Sequence, residues 1–339
     1  MTADIIERIL AALPQRTIGI VGDLFLDRYL DLDAALTEPS IETGLDAYQV
    51  VKVRSYPGAA GTVINNLAAL GVGRIVPIGM VGDDGEGYEL QQALGSLPGV
   101  TQELLVKTAA RRTPTYTKPM LMNGQAPARE LNRLDIKNRQ PMPADVTACL
   151  LDALDRAWQS FDVLLVVDQV SEPECGVVTS AMRERLAELA ERDPGKIVLA
   201  DSRMRIGLFR NVWLKPNERE CLSALAAERP IEDALRKLAA AMKRPVVCTR
   251  GDKGMLIAGS EHDALLEVPG FRVEGPIDTV GAGDSSSAGL ACALSAGVSL
   301  AEAAAFANLV ASITIQQIGV TGTASPEQVR RRWAYCTSS

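Results

Sequence analysis

Short runs of β-branched and other apolar residues recur along the chain between stretches with helical spacing. The runs are "TIGIVGD" (17–23), "RIVPIGMVG" (74–82), "DVLLVVD" (162–168), "KIVLAD" (196–201), "VWLKPN" (212–217) and "PVVCTR" (245–250). Strands covered on both faces read as unbroken apolar runs, so these six predict a mainly parallel sheet. Helical spacing fills the intervals at about 60–70, 84–95, 143–159, 174–192, 218–227 and 231–243. The alternation predicts a doubly wound α/β domain with helices on both faces of the sheet. The apolar region 288–318 is interrupted by Gly297, Ser299, Glu302 and Asn308, which predicts two packed helices rather than a membrane span.

Two segments, about 28–56 and 111–135, break the alternation. Their extended pieces "AYQVVKV" and "TPTYTKPMLM" predict a small β lid inserted into a single domain spanning residues 1–339. In doubly wound sheets, ligands bind beyond the carboxyl ends of the strands. Several runs end there in a polar residue: Asp23, Asp168, Asp201, Asn217 and Arg250. A single strand-end Asp commonly caps the following helix; five polar ends together mark a functional rim.

Composition narrows the function classes. The 339 residues include 35 basic and 42 acidic side chains, a net charge of −7, which argues against a nucleic-acid or anionic-membrane partner. Six cysteines without a CxxC pair predict reduced thiols in a cytoplasmic protein. The opening "MTADIIERILAALPQR" has helical spacing and lacks the apolar core of a signal peptide. One histidine, His262, leaves no room for a His-based triad or a multi-His metal site.

Four segments carry candidate chemistry. In "DTVGAGDSSSAG" (278–289), Gly281 and Gly283 flank Ala282 and permit close backbone approach, and a helix follows. The turn reads either as an ordinary helix cap or as an anion hole at a helix's positive end, with Asp284 placed to accept a hydroxyl proton. It spells neither GxGxxG nor GxxxxGK[ST]. In "LKPNERE" (214–220), Asn217 and Glu220 share one helix face, fit to hold the water shell of Mg²⁺ or to form a capping box. "TRGDKG" (249–254) reads as a plain hairpin or as a nucleotide ledge. "GDLFLDRY" (22–29) sets Asp23 and Asp27 past the first strand, where two carboxylates suit a polyol.

Together these segments resemble the ribokinase-like carbohydrate kinase family. Asp278 to Asp284 matches its DTxGAGD signature, "LKPNERE" its N-x-x-E element and "TRGDKG" its nucleotide-contacting turn. Within the family, "YPGAAGTVINNLAALG", "NRLD" and "FANLVASITIQQIG" are most similar to the kinase domain of heptose-7-phosphate kinases. The resemblance runs from about residue 16 to 326. It implies ATP as donor, Mg²⁺, Asp284 as base, and the backbone of Gly281, Ala282 and Gly283 as anion hole. Lys215, Asn217, Glu218, Arg219 and Glu220 would lie by the phosphates and metal, with Thr249, Arg250, Gly251, Gly254 and Asn308 around the nucleotide. Asp23, Asp27, Gly58, Asn66, Arg133 and Asp168 would face the sugar or sugar phosphate. Homodimerisation through the lid is a further implication.

Two departures sit on the sugar side. The family's Gly-Gly-x-x-x-Asn element reads Gly58-Ala59-Ala60-Gly61-Thr62, and "VVDQV" lacks the Tyr-x-Lys-Gly that follows in heptose kinases. A phosphorylated acceptor needs cations, and Lys52, Arg111, Arg112, Lys118, Arg129 and Arg133 fall in or beside the lid segments. Alternatives in view are a kinase-fold regulator that binds sugar or nucleotide without turnover, and a nucleoside kinase. A nicotinamide-linked oxidoreductase is disfavoured because no GxGxxG follows the first strand.

Overall fold

The computed structural model describes residues 1–124, 126–225, 230–259 and 264–337. His262 lies outside the described residues, as do the last two residues of the helix expected at 218–227, which ends earlier, at Ser223 with Ala224 as its C-cap. The strands are β1 (Thr17–Gly22), β2 (Leu24–Pro39), β3 (Asp46–Ala59), β4 (Arg74–Gly82), β5 (Leu105–Thr108), β6 (Thr115–Asn123), β7 (Ala126–Glu130), β8 (Leu134–Ile136), β9 (Val163–Asp168), β10 (Ile197–Ser202), β11 (Trp213–Leu214), β12 (Val246–Thr249), β13 (Met255–Ala258) and β14 (Leu265–Val268). The helices are α1 (Ala3–Ala12), α2 (Ala60–Leu70), α3 (Gly85–Gly95), α4 (Ala144–Ala157), α5 (Ser180–Arg192), α6 (Glu218–Ser223), α7 (Ile231–Met242), α8 (Ala282–Ser295), α9 (Leu300–Thr314) and α10 (Pro326–Thr337).

Among the described residues, nine strands form the main sheet in the order β14-β13-β12-β11-β10-β9-β1-β4-β5. From β12 to β5 every pairing is parallel; β13 and β14 add an antiparallel edge. The apolar runs are explained by alternation. In β9, Val163, Leu165 and Val167 pack on one face while Leu164 and Val166 pack on the other. The first face carries α1, α2, α8 and α9, and the second carries α4, α5 and α7. The fold is therefore the doubly wound α/β architecture with both faces covered. The region 288–318 is two packed helices, α8 and α9, and no helix among the described residues is long and apolar enough to cross a membrane.

The irregular segments form a second sheet, β3-β2-β6-β7, with β8 on β6. Only Asp23 separates β1 of the main sheet from β2 of the lid. The lid is braced from below by α3. Arg28 on β2 donates to Glu89 (3.1 Å) and Glu86 (3.4 Å), and the Ser55 hydroxyl on β3 donates to Glu89 (2.8 Å). Residues alternate across a strand, so Arg28 and Asp27 leave β2 on opposite faces.

The helix expected over 174–192 begins six residues later, at Ser180. Glu174 is left-handed (φ 60°), which stops a helix there, and the Thr179 hydroxyl caps the real start by accepting from Met182 N–H (3.3 Å). The freed segment instead wraps the root of the lid. The short antiparallel edge was not read from the sequence, because four-residue strands carry no periodicity.

Ala59 joins β3 to α2 at φ 54°, ψ −118°, a conformation that is sterically costly for a residue with a Cβ. Such strain is worth about 1–3 kcal/mol, against about 0.5–1 kcal/mol for the extra freedom glycine brings to the unfolded chain. Ala59→Gly is therefore expected to stabilise the protein by about 1 kcal/mol in urea unfolding; equal or lower stability would contradict strain at this junction.

Candidate active site

The Asp278–Gly281 turn delivers Asp284 into the first turn of α8. Gly281 occupies the N-cap at φ 78°, and a Cβ built there would lie 2.6 Å from the Thr321 methyl, so only glycine fits. Asp278 fixes the turn: its carboxylate accepts from Val280 N–H (3.0 Å) and Gly319 N–H (3.1 Å). Ala282 N–H is used by Thr279 O (3.2 Å). The N–H groups of Gly283 and Asp284 have no acceptor among the described residues, as expected of a helix's first turn. Nothing lies within 4 Å of a Cβ built on Gly283, so the turn is open on that side. An anion hole and a helix cap are here one geometry.

Beneath this turn lies a charge cluster that the sequence only half announced. Lys215, just past β11, is 3% exposed and donates to Asp201 (2.8 Å) at the end of β10. Asp201 also accepts from the Ser287 hydroxyl (3.0 Å), which couples it to α8. Burial would lower the Lys215 ammonium, but Asp201, with Glu220 and Asp284 beyond it, holds it above its ordinary value. Burial and the Asp201 charge push the half-buried Asp284 carboxyl up to about 7, against the pull of Lys215 and Arg203. A carboxyl near 7 suits a general base at neutral pH. From the sequence Asp201 was marked only as one of the five polar strand ends of the rim, and Arg203 was not singled out.

Asn217 and Glu220 form a complete capping box at α6. The Asn217 side chain accepts from Glu220 N–H (2.9 Å), and the Glu220 carboxylate accepts from Asn217 N–H (2.8 Å). Burial raises the Glu220 carboxyl even so. No three His, Cys, Asp or Glu side chains among the described residues converge to cage a metal ion. The oxygen donors of Glu220, Asp201 and Asp284 around one lysine instead fit a hard cation held through its waters and a ligand's phosphates. Glu218, the first residue of α6, is bound to Arg250 (2.8 Å), Arg219 follows it in the same turn, and Asn217 bridges Thr249 across the sheet. "TRGDKG" is a hairpin: Gly251 and Gly254 bound one 3₁₀ turn between β12 and β13, with Arg250 N–H donating to Gly254 O (2.8 Å). Asn308 on α9 donates to the carbonyls of Val268 and Pro269 (both 3.1 Å), so its amide anchors the segment leading to the Asp278 turn.

On the lid side, Asp27 reaches toward the cleft from β2, and its charge acts on Asp284. Burial raises its carboxyl, while Lys118 (3.4 Å) pulls it down. Gly58 lies directly beneath; a Cβ there would come within 3.0 Å of the Asp27 carboxylate carbon. Asp27, Tyr29, Arg54, Thr62, Asn65 and Thr321 line one hollow against the Gly281 turn. A second cavity opens at the carboxyl ends of β1 and β9, lined by Asp23, Phe25, Tyr116, Lys137, Gln169 and Arg203 among others.

Four expected sugar contacts already have partners within the protein. Asn66 is fully buried in α2, its amide donating to Thr62 O (3.0 Å); Asn65, a third of a turn away, lines the hollow instead. Asp168 is fully buried and spent on Arg205 (2.6 Å) and the Ser202 hydroxyl (2.6 Å). Asp23 borders the cavity, but its carboxylate is taken by the N–H groups of Gln169 (3.0 Å), Val170 (3.1 Å) and Val177 (2.7 Å). Arg133 is paired with Asp135 (2.6 Å) and stacked 4.1 Å over the Tyr116 ring. Of the other lid cations, Arg111 is buried and donates to the carbonyls of Pro141 (3.0 Å) and Cys175 (2.6 Å). Arg112 pairs with Glu86 (2.7 Å) and Asp84 (3.2 Å).

Residues 208–328 match the profile described as pfkB family carbohydrate kinase. The bifunctional protein HldE of Pelobacter propionicus is 32% identical over 332 residues, covering 96% of this chain and 64% of that protein. HldE of Caulobacter vibrioides is 32% identical over 323 residues, covering 91% and 63%. The chain thus spans just under two thirds of the length of these relatives. Among solved structures, phosphofructokinase-2 from Escherichia coli in complex with potassium superposes with a TM-score of 0.69 at 19% identity, covering 95% of this chain and 99% of that one. Arabidopsis thaliana ribokinase complexed with ribose and ATP gives 0.65 at 17%, covering 94% and 98%. The profile match over residues 208–328, the identity to HldE across nearly the whole chain and the shared fold make the chain similar to pfkB family carbohydrate kinases.

Proposed function

We propose that the protein transfers the γ-phosphoryl group of ATP to a hydroxyl of a sugar or sugar phosphate, with Asp284 as the base. The observation that carries this reading is the pairing of a carboxyl lifted to about 7 with two free backbone N–H groups in the same helical turn. The N–H groups of Gly283 and Asp284, reinforced by the α8 dipole, hold the charge developing on the transferred group. Lys215 supplies a fixed positive charge from below, and Asp284 takes the acceptor's proton. Mg²⁺ bound with ATP would neutralise phosphate charge, with Glu220 reaching it through water. Thr249, Arg250, Gly251 and Gly254 would border the nucleotide, and Asp27 would orient the acceptor. The similarity to a plant ribokinase complexed with ribose and ATP, and to the phosphofructokinase and HldE relatives, supports a sugar-type acceptor. Heptose 7-phosphate, implied by the sequence resemblance, is the first to test. We place the enzyme in the cytoplasm, where its ATP is made.

We propose further that the protein is a homodimer joined through its lids. β3 is the edge of the lid sheet, and Tyr48, Val50, Val51 and Val53 on it are exposed; a long apolar edge strand seeks a partner. Light scattering should give a dimer that a Val51→Lys, Val53→Lys variant converts to monomer. A monomeric wild type would refute it.

Asp284→Asn keeps the shape and removes the base. In an ATP-consumption assay over sugars, sugar phosphates and nucleosides, turnover should fall about 10²–10⁴-fold; near-normal activity would sink the assignment. Wild-type kcat/KM should rise with pH through about 7 as Asp284 loses its proton. The same group gives a stability signature. A carboxyl raised in the folded state destabilises that state when ionised, so wild-type stability falls as pH climbs from about 4 to 7. Asp284→Asn should therefore raise Tm most above pH 7, and its advantage should shrink as pH falls toward 4. A pH-independent difference would speak against the buried carboxylate.

A further inference from the structure

An acceptor that already bears a phosphate needs a cation that is not neutralised by the protein itself. Around the cleft, nearly every cation is spent. Arg111 is bound to main-chain carbonyls, Arg112 to Asp84 and Glu86, Arg133 to Asp135, and Lys118 to Asp27 and the Tyr29 hydroxyl (3.1 Å). Lys215 is held by Asp201.

Arg203 is different. It follows β10, on a turn whose backbone is pinned: Arg203 N–H donates to Asp168 O (3.1 Å), and Arg205 N–H to the Ser202 hydroxyl (3.0 Å). Its side chain is exposed and makes no hydrogen bond or ion pair among the described residues. It lines the cavity at the carboxyl ends of β1 and β9, where Phe25 and Tyr116 of the lid form the facing wall. Its charge is felt by Asp284, Glu220 and Tyr116, and Tyr116 lines the same cavity. Lys137, also on the cavity wall, has only a 3.9 Å pairing with Glu172. Lys52 and Arg129 do not line this cavity.

We propose that Arg203 grips the phosphate of a phosphorylated sugar acceptor, with the β1/β9 cavity taking that end of the molecule, and so sets the preference for sugar phosphates over sugars. A guanidinium with a free fork is suited to bidentate phosphate recognition, and its planar fork loses less freedom per hydrogen bond formed than an ammonium would. The Arg250 and Gly251 turn follows β12, three strands along the main sheet from β9, and does not line this cavity. This assignment rests on the sugar-kinase reading for its substrate class but is measurable without turnover.

The test is calorimetric titration of fructose 6-phosphate, mannose 6-phosphate and sedoheptulose 7-phosphate, each beside its parent sugar, into wild type, Arg203→Met and Arg203→Lys, without ATP. Wild type should prefer at least one phosphate ester. Arg203→Met should lose about 10- to 100-fold of that affinity while leaving parent sugars unchanged, and Arg203→Lys should keep part of it. Equal losses for ester and parent sugar, an unchanged ester affinity, or no ester preference in wild type would each overturn the proposal. Transfer from ATP is scored separately. A wild type that binds the ester through Arg203 but transfers nothing would defeat the kinase reading alone. A kcat loss in Arg203→Met that is equal on phosphorylated and plain acceptors would place the cation on the transferred group and defeat this one.

Discussion

The carboxylate of Asp23 is the constraint on which the cleft depends. It stands alone between the last residue of β1 and the first of β2, so the main sheet and the lid meet at one residue. Its two oxygens accept three backbone N–H groups from the 169–177 loop, and its own carbonyl accepts Ala60 N–H (2.9 Å) at the start of α2. One residue, through its carboxylate and its main-chain carbonyl, thus ties the lid root, the loop after β9 and the first turn of α2 to the point where strand order reverses between β9 and β4. Burial and the Asp168 charge push its carboxyl up to about 6, which measures what the site spends to keep a charge there. Asp168 can lie so near only because Arg205 holds it, and Arg205 donates in turn to Ser171 O (3.0 Å) and Val170 O of the same loop.

A second buried charge organises the other wall. Lys215 and Asp201 form a pair that would cost about 3–5 kcal/mol if either partner were removed alone. Placed under α8, the pair does more than hold strands together. Asp201 raises Asp284, Lys215 restrains the rise, and Ser287 fixes Asp201 to the helix that carries Asp284. The proton affinity of the proposed base is therefore a property of the β10–β11–α8 junction rather than of the DTVGAGD turn alone.

Much of the fold was legible because buried parallel strands must be apolar on both faces, and the chain writes them as continuous runs. Helix boundaries held wherever a cap or glycine stood at the end, as at 60–70, and failed at 174, where a left-handed Glu174 interrupts a pattern that composition alone would continue. The Asp284 turn was legible because Gly281 is demanded sterically. The sugar side was not. Asn65 and Asn66 are adjacent in sequence, and only the helix phase decides which one reaches the hollow. Asp23, Asp168 and Arg133 have the chemistry expected of ligand contacts, yet each is consumed by a partner distant in the chain or by a neighbour whose geometry a sequence does not state.

That consumption has its own logic. A chain of net charge −7 that handles anions must keep its cations from drifting toward its many carboxylates, and long flexible side chains lose entropy when they are held. Here most cleft arginines are already committed to building: Arg28 and Arg112 fasten the lid to α3, Arg111 and Arg205 shape the loops beneath it, and Arg133 stacks on Tyr116. Neutralised where they stand, they add rigidity without adding attraction for every passing anion. Selectivity for a phosphorylated molecule then falls to the cation that the architecture leaves uncommitted on a pinned backbone, and its position relative to Asp284, more than the total positive charge of the lid, decides which end of the acceptor meets the base.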